Sequence, residues 1–217
     1  MKRENIFFDL DGTLTDSMPG ITRAVQYALK HYGIEVENLN VLKPFVGPPL
    51  PESFREYYHF SEQDSIDAVS VFREYYNVTG WLQNEPYPGV KAMLETLKAA
   101  GKTLYVATSK PEWMAKQVLE HFGLAGYFVM IGGGDDASGR YDKADVIRYV
   151  MEQNGLTDGN SVVMVGDRRH DIAGAHKTGI PAVGVLFGYG SREELEEAGA
   201  DWITESVQSL TELLKNL

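Results

Sequence analysis

Apolar positions recur along the chain with two different periods. The runs "NIFFDL" (5–10), "TLYVATS" (103–109), "YFVMIGG" (127–133), "SVVMVGD" (161–167) and "PAVGVL" (181–186) are short and rich in Val, Ile, Phe or Tyr, and predict buried strands. Between them the spacing becomes helical, over 89–100 (Val90, Met93, Leu94, Leu97), 111–122 (Met114, Val118, Leu119, Phe122) and 143–154 (Val146, Ile147, Val150, Met151). Gly101, Gly123 and Gly155 follow these segments where helix C-termini favour glycine, and Pro111 sits where a helix starts. Strands alternating with helices of this length predict a parallel sheet with right-handed crossovers. The tail "ADWITESVQSLTELLKNL" adds a last short strand and an amphipathic helix.

One region breaks the alternation. From residue 17 to about 85 no strand pattern occurs; helical segments fall at 19–32, 50–59 and 62–78, with a Pro-rich hinge "LKPFVGPPLP" between the first two. The expected organisation is α/β: a Rossmann-like parallel sheet core from 1–16 and 86–217, carrying an inserted all-helical domain at 17–85.

Composition narrows the chemistry. The 217 residues, 43% hydrophobic, are enough for one large domain or one domain with an insertion. No run approaches 18 apolar residues and no signal-peptide pattern opens the chain, so the expected location is the cytoplasm, with no membrane partner. With no cysteine, a bound metal must be held by oxygen or imidazole, which favours a hard cation. A net charge of −11 without a Lys/Arg run argues against nucleic acid polymers. An anionic substrate would then need local cations to attract it.

In an open parallel sheet, ligands bind beyond the carboxyl ends of the strands. The polar residues at those ends are Asp9 and Asp11, then Thr108, Ser109 and Lys110, then Asp167 and Asp171. Asp9 and Asp11, two apart in extended backbone, share a face, as paired acid/base carboxylates do. Up to four carboxylates in one water-shielded pocket repel one another unless protons or a divalent cation intervene. With oxygen donors only, Mg²⁺ is the expected ion, shared with a substrate phosphate. The plainer readings are a strand-end turn for Asp9 and Asp11 and a helix cap for Asp167 and Asp171.

The ordered segments "DLDGTLTDS", "YVATSKP", "KADVI" and "VGDRRHDIAGA" resemble the four motifs of the haloacid dehalogenase superfamily, and the resemblance spans essentially the whole chain. The insertion directly after the first motif resembles the mobile cap of the subclass that contains phosphoglycolate phosphatases and beta-phosphoglucomutase. Within it, "FVGPPL", "ATSKPE", "GDRRHDI" and "GVLFGYGS" look most like proteins described as 5′-nucleotidase-like or phosphoglycolate phosphatase-like.

The resemblance implies that Asp9 attacks phosphorus to form an aspartyl-phosphate, and that Asp11 protonates the leaving oxygen and then activates water. Mg²⁺ would be held by Asp9, the Asp11 backbone carbonyl and Asp167, with Asp171 supporting the shell. Thr108 would contact the phosphoryl group, with Ser109 the alternative, and Lys143 would neutralise the phosphate and orient Asp9, with Lys110 and Arg140 the competing cations. Gly12 keeps the chain tight behind the nucleophile. Arg55, with Lys43 and Arg23, is a candidate cation for a second substrate charge. The loop "IGGGDDASGR" lacks the spacing of a phosphate-binding loop. His170 is read as a surface turn residue and the aromatics of 17–85 as packing.

The expected function is a Mg²⁺-dependent phosphatase of small phosphorylated metabolites, of nucleoside 5′-monophosphate or phosphoglycolate type, acting as monomer or homodimer. Alternatives are a sugar phosphomutase, which would return the phosphoryl group to substrate, and a non-catalytic binding protein. A dehalogenase is disfavoured because Asp11 marks the phosphotransfer branches.

Overall fold

The predicted apolar runs become adjacent strands of one parallel sheet in the computed structural model, which describes residues 3–217. In chain order the elements are β1 (Asn5–Phe8), β2 (Thr15–Asp16), α1 (Met18–His31), α2 (Leu50–Tyr58), α3 (Glu62–Tyr76), β3 (Glu85–Pro86), α4 (Val90–Ala99), β4 (Thr103–Pro111), α5 (Glu112–His121), β5 (Met130–Gly134), α6 (Lys143–Gln153), β6 (Val162–Gly166), α7 (Arg169–Lys177), β7 (Ala182–Val185), α8 (Arg192–Glu197), β8 (Trp202–Thr204) and α9 (Val207–Asn216). The six-stranded sheet has the order β5-β4-β1-β6-β7-β8.

β1 lies inside the sheet between β4 and β6, and after the half-buried Asn5 its residues Ile6, Phe7 and Phe8 are fully buried, as expected for a strand covered on both faces. Phe7 stands in register with Tyr105 on β4 and Met164 on β6, and packs with Val146, Ile147 and Val150 of α6 and Ile172 and Ala175 of α7. The Phe7 and Tyr105 rings are 5.0 Å apart. On the opposite face Phe8 meets Phe128, with centroids 6.4 Å apart. Burying Phe7 and Phe8 fully contributes roughly 2–3 kcal/mol each by area, and it anchors the strand that delivers Asp9.

The chain forms two units. One comprises the chain up to Thr15 with Pro86–Leu217; the other is Asp16–Glu85. In the second unit α1 and α2 are joined by a 3₁₀ segment, Leu39–Phe45, where the proline-rich sequence reads as a hinge, and α3 follows α2 directly. Phe45 and Phe54 are buried there with ring centroids 5.0 Å apart, and Phe54 stacks on Phe60 at 5.5 Å. Phe45 and Tyr76 pack in the core of this unit, as read from the sequence, whereas Tyr27 and Tyr57, read the same way, are exposed.

Several boundaries differ from the periodicity. β4 extends through Lys110 to Pro111, which caps α5 from outside the helix, because the strand continues with a register break between Ala107 and Pro111. Residues 125–127 form a 3₁₀ turn rather than the start of β5. α7 starts at Arg169, so Asp171 lies in its first turn. α8, β2 and β3 are too short to carry a periodic signal. No helix among the described residues is long and apolar enough to cross a membrane.

Candidate active site

Because β4, β1 and β6 are neighbours, the residues leaving their carboxyl ends emerge side by side. β1 hands over to Asp9, whose amide still donates to the Val165 carbonyl at 2.9 Å, and Asp11 follows. β4 carries Thr108, Ser109 and Lys110, and β6 stops one residue before Asp167. Lys143 is the first residue of α6; the Asp142 carboxylate caps that helix by accepting from the Ala144 amide at 2.8 Å.

Lys143 is the electrostatic centre of this cluster. Its buried Nζ donates to Asp9 Oδ1 at 2.7 Å and to the Ala107 carbonyl at 3.0 Å, and lies 2.8 Å from Asp171 Oδ1. Burial opposes the Lys143 charge, but Asp171 and Asp9 outweigh it and hold its pKa above the ordinary value. Arg140, the competing cation, points elsewhere: its guanidinium lies 3.6 Å over the Tyr149 ring and donates to Gly133 and Glu112. Lys110, the other competitor, is buried against Asp11, with Nζ donating to Oδ2 at 2.7 Å.

Asp9 is buried, and desolvation pushes its carboxyl above the usual range. Lys143 opposes that shift, Asp171 reinforces it, and a hydrogen bond with Thr108 also favours the charged form. Asp167 is raised well above the ordinary value, first by burial and then by Asp171 and Asp9. Asp171 has two tasks: Oδ2 accepts from the Arg168 amide at 3.0 Å at the start of α7, while Oδ1 faces Lys143. The helix cap and the site residue are therefore the same side chain.

Asp9, Asp167 and Asp171 each offer a carboxylate oxygen, and these atoms lie within 4.8 Å of one another. With Asp11 the site holds four buried carboxylates against two buried ammonium groups, Lys110 and Lys143. Two formal negative charges are left over, enclosed by protein. An all-oxygen donor set with that deficit fits one hard divalent cation. Asp11 Oδ1 is buried and has no hydrogen-bond partner.

Two supports of Asp167 have no sequence reading. Thr13 Oγ1 donates to its Oδ1 at 3.3 Å and the Tyr189 amide donates to its Oδ2 at 2.8 Å. Gly12, at φ +88°, and Gly188 both press on this carboxylate, and a Cβ at either would collide with it. Thr13 and Tyr189 fall within the family-like segments "DLDGTLTDS" and "GVLFGYGS", but no role is read there for either. Of the other expected residues, Ser109 is half-buried on β4. Arg55 belongs to the helical unit, exposed on α2, where it donates to Ser65 at 3.4 Å.

Comparison with known proteins identifies the class. The model of the haloacid dehalogenase-like hydrolase family matches residues 6–185, and the chain belongs to that family. A 5′-nucleotidase of Pseudomonas aeruginosa is 42% identical over 195 residues, covering 90% of this chain and 88% of that one. A phosphoglycolate phosphatase of Neisseria meningitidis is 34% identical over 221 residues, covering 98% and 92%. A Mycobacterium tuberculosis protein named tyrosine-protein kinase PtkA is 36% identical over 202 residues, covering 93% of this chain and 68% of that one. The crystal structure of a predicted phosphatase from Clostridium acetobutylicum superposes with a TM-score of 0.96 at 45% identity over 100% of both chains. The protein is accordingly a hydrolase of the phosphatase branch of this family.

Proposed function

We propose that the chain is a Mg²⁺-dependent phosphatase that hydrolyses a small cytoplasmic phosphate monoester, of nucleoside 5′-monophosphate or phosphoglycolate type, through an aspartyl-phosphate on Asp9. The observation that carries this reading is the buried contact of Lys143 with Asp9 at 2.7 Å, inside a cluster whose carboxylates formally outnumber its ammonium groups by two. A carboxylate in hydrogen-bonded contact with a fixed cation is oriented for attack on phosphorus. Thr108, hydrogen-bonded to Asp9, would bind the oxygens of the transferring group, and Lys143 would offset their charge.

Asp9, Asp167 and the Asp11 carbonyl would hold Mg²⁺, with Asp171 supporting that shell. The ion supplies charge neutralisation that lets an anionic carboxylate meet an anionic phosphate. Asp11 gives a proton to the leaving oxygen as the Asp9–phosphorus bond forms. It then takes one from the water that releases phosphate and regenerates Asp9. Gly12 keeps a side chain out of the space taken by Asp167. The helical unit at 16–85 is proposed as a specificity cap, with Arg55 a candidate for a second substrate charge.

The test is phosphate release with Mg²⁺ from nucleoside monophosphates, phosphoglycolate and sugar phosphates. One monoester leading the panel by kcat/KM supports the reading and names the substrate; no release from any member overturns it. The kinase name of the Mycobacterium tuberculosis relative raises a second reading, transfer from Asp9 to a hydroxyl other than water. Release of one phosphate per substrate consumed excludes it.

A further inference from the structure

The phosphatase reading assigns Asp11 a proton transfer and leaves the second buried lysine without a task. Lys110 sits at the end of β4 with its side chain 4% exposed, and its Nζ donates to Asp11 Oδ2 at 2.7 Å. The other oxygen, Asp11 Oδ1, is buried and unpartnered. A carboxylate with one oxygen tied and the other unspent is rotationally fixed, and its reactive edge is selected.

The lysine itself is held rigidly. Its amide donates to Thr108 Oγ1 at 3.3 Å, the hydroxyl that also bonds Asp9. On the other side its carbonyl lies so close to β5 that a Cβ at Gly133 would come within 2.6 Å of it. Gly133 is in turn fixed by Arg140, whose Nε donates to the Gly133 carbonyl at 2.8 Å while Nη2 reaches Glu112 at 3.2 Å. The lysine's backbone is thus anchored, and burial of its side chain confines the ammonium beside Asp11.

We infer that Lys110 is a positioning residue for Asp11: by occupying Oδ2 it presents Oδ1 to the leaving oxygen in the first half-reaction and to water in the second. This rests on the phosphatase reading and adds a division of labour between the two buried lysines. Lys143 serves the nucleophile; Lys110 serves the proton-transfer group. The bond changes are those already assigned, with the proton passing between Asp11 Oδ1 and the leaving or attacking oxygen. Lys110 itself gains and loses nothing.

A carboxylate that must donate a proton matters most when the leaving alkoxide is poor, and little when the leaving group departs unaided. The experiment therefore compares kcat/KM for 4-nitrophenyl phosphate with that for the alkyl monoester that turns over fastest, in the wild type, Lys110→Met, Lys110→Arg, Asp11→Asn and Asp11→Asn/Lys110→Met. The expected loss in Lys110→Met is about 100-fold on the alkyl ester and under about fivefold on the nitrophenyl ester, as for a displaced general acid. Lys110→Arg recovers part of the alkyl activity, and Lys110→Met costs under about twofold when Asp11 is already Asn.

Equal losses on both esters, or an undiminished loss in the Asp11→Asn background, would overturn the inference, the latter by showing that Lys110 acts on substrate directly. Should Lys110→Met fail to fold by its melting profile, Lys110→Gln carries the same ratio test, with Lys110→Arg still the rescue. A wild type inert toward both esters refutes the phosphatase reading and this inference with it.

Discussion

Lys143 Nζ and Asp9 Oδ1 lie 2.7 Å apart in a pocket where both side chains are less than a tenth exposed. A lone buried charge of either sign is costly, so each residue makes the other tolerable, and Asp171 and the Ala107 carbonyl complete the lysine's coordination. Removing the lysine should therefore damage both folding and chemistry. Lys143→Met is expected to lower stability by about 3–5 kcal/mol, as for one partner of a buried pair. Adding Asp171→Asn should restore a measurable part of that loss while leaving activity abolished. Denaturant melts of the single and double variants check this through their non-additivity.

The raised carboxyls of Asp9 and Asp167 set a pH dependence of stability. A carboxyl with a folded-state pKa above its unfolded value binds protons more tightly in the native state, so its contribution falls as pH rises from about 4 through the raised value. Without metal, the melting temperature should decline over that window more steeply than in Asp167→Asn. Added Mg²⁺ should reverse the decline, with a larger gain at pH 7 than at pH 5. Melting curves with EDTA and with Mg²⁺ decide the point; a gain independent of pH, or undiminished in Asp167→Asn, would remove Asp167 from the metal site.

Asp167 also depends on backbone that touches no substrate in the proposed scheme. Gly188→Ala would drive a methyl group into Asp167 and the Gly12 carbonyl. The expected result is a folded protein whose Mg²⁺-induced rise in melting temperature is largely lost and whose phosphate release falls by at least about tenfold, the scale of lost support around a metal ligand. Calorimetric titration with Mg²⁺ measures the affinity directly.

These residues show where the sequence is legible and where it is not. Strands such as Ile6–Phe8 and Val162–Val165 are buried on both faces, so continuous apolar runs announce them. Asp9, Asp11, Asp167 and Asp171 are legible because strand ends in a parallel sheet converge, and Lys143 because it opens a helix at a family-like distance before the fourth motif. The Lys110–Asp11 pair is not legible, since it depends on β4 continuing past the residue where the apolar run stops. The Tyr189 amide is a backbone donor, which no side-chain pattern can report. The 3₁₀ segment at Leu39–Phe45 is hidden for a related reason, because Pro44 within it reads as a break.

The central claim is that phosphorus becomes bonded to Asp9. The most direct measurement is acid quenching of the enzyme during turnover of its best monoester with Mg²⁺, followed by peptide mass analysis, in the wild type, Asp11→Asn and Asp9→Asn. The account predicts a phosphoryl adduct on Asp9 that accumulates in Asp11→Asn, where the second half-reaction stalls, and no adduct with phosphate release cut by on the order of 1,000-fold or more in Asp9→Asn. Undiminished phosphate release in Asp9→Asn, or an adduct on another residue, would contradict it.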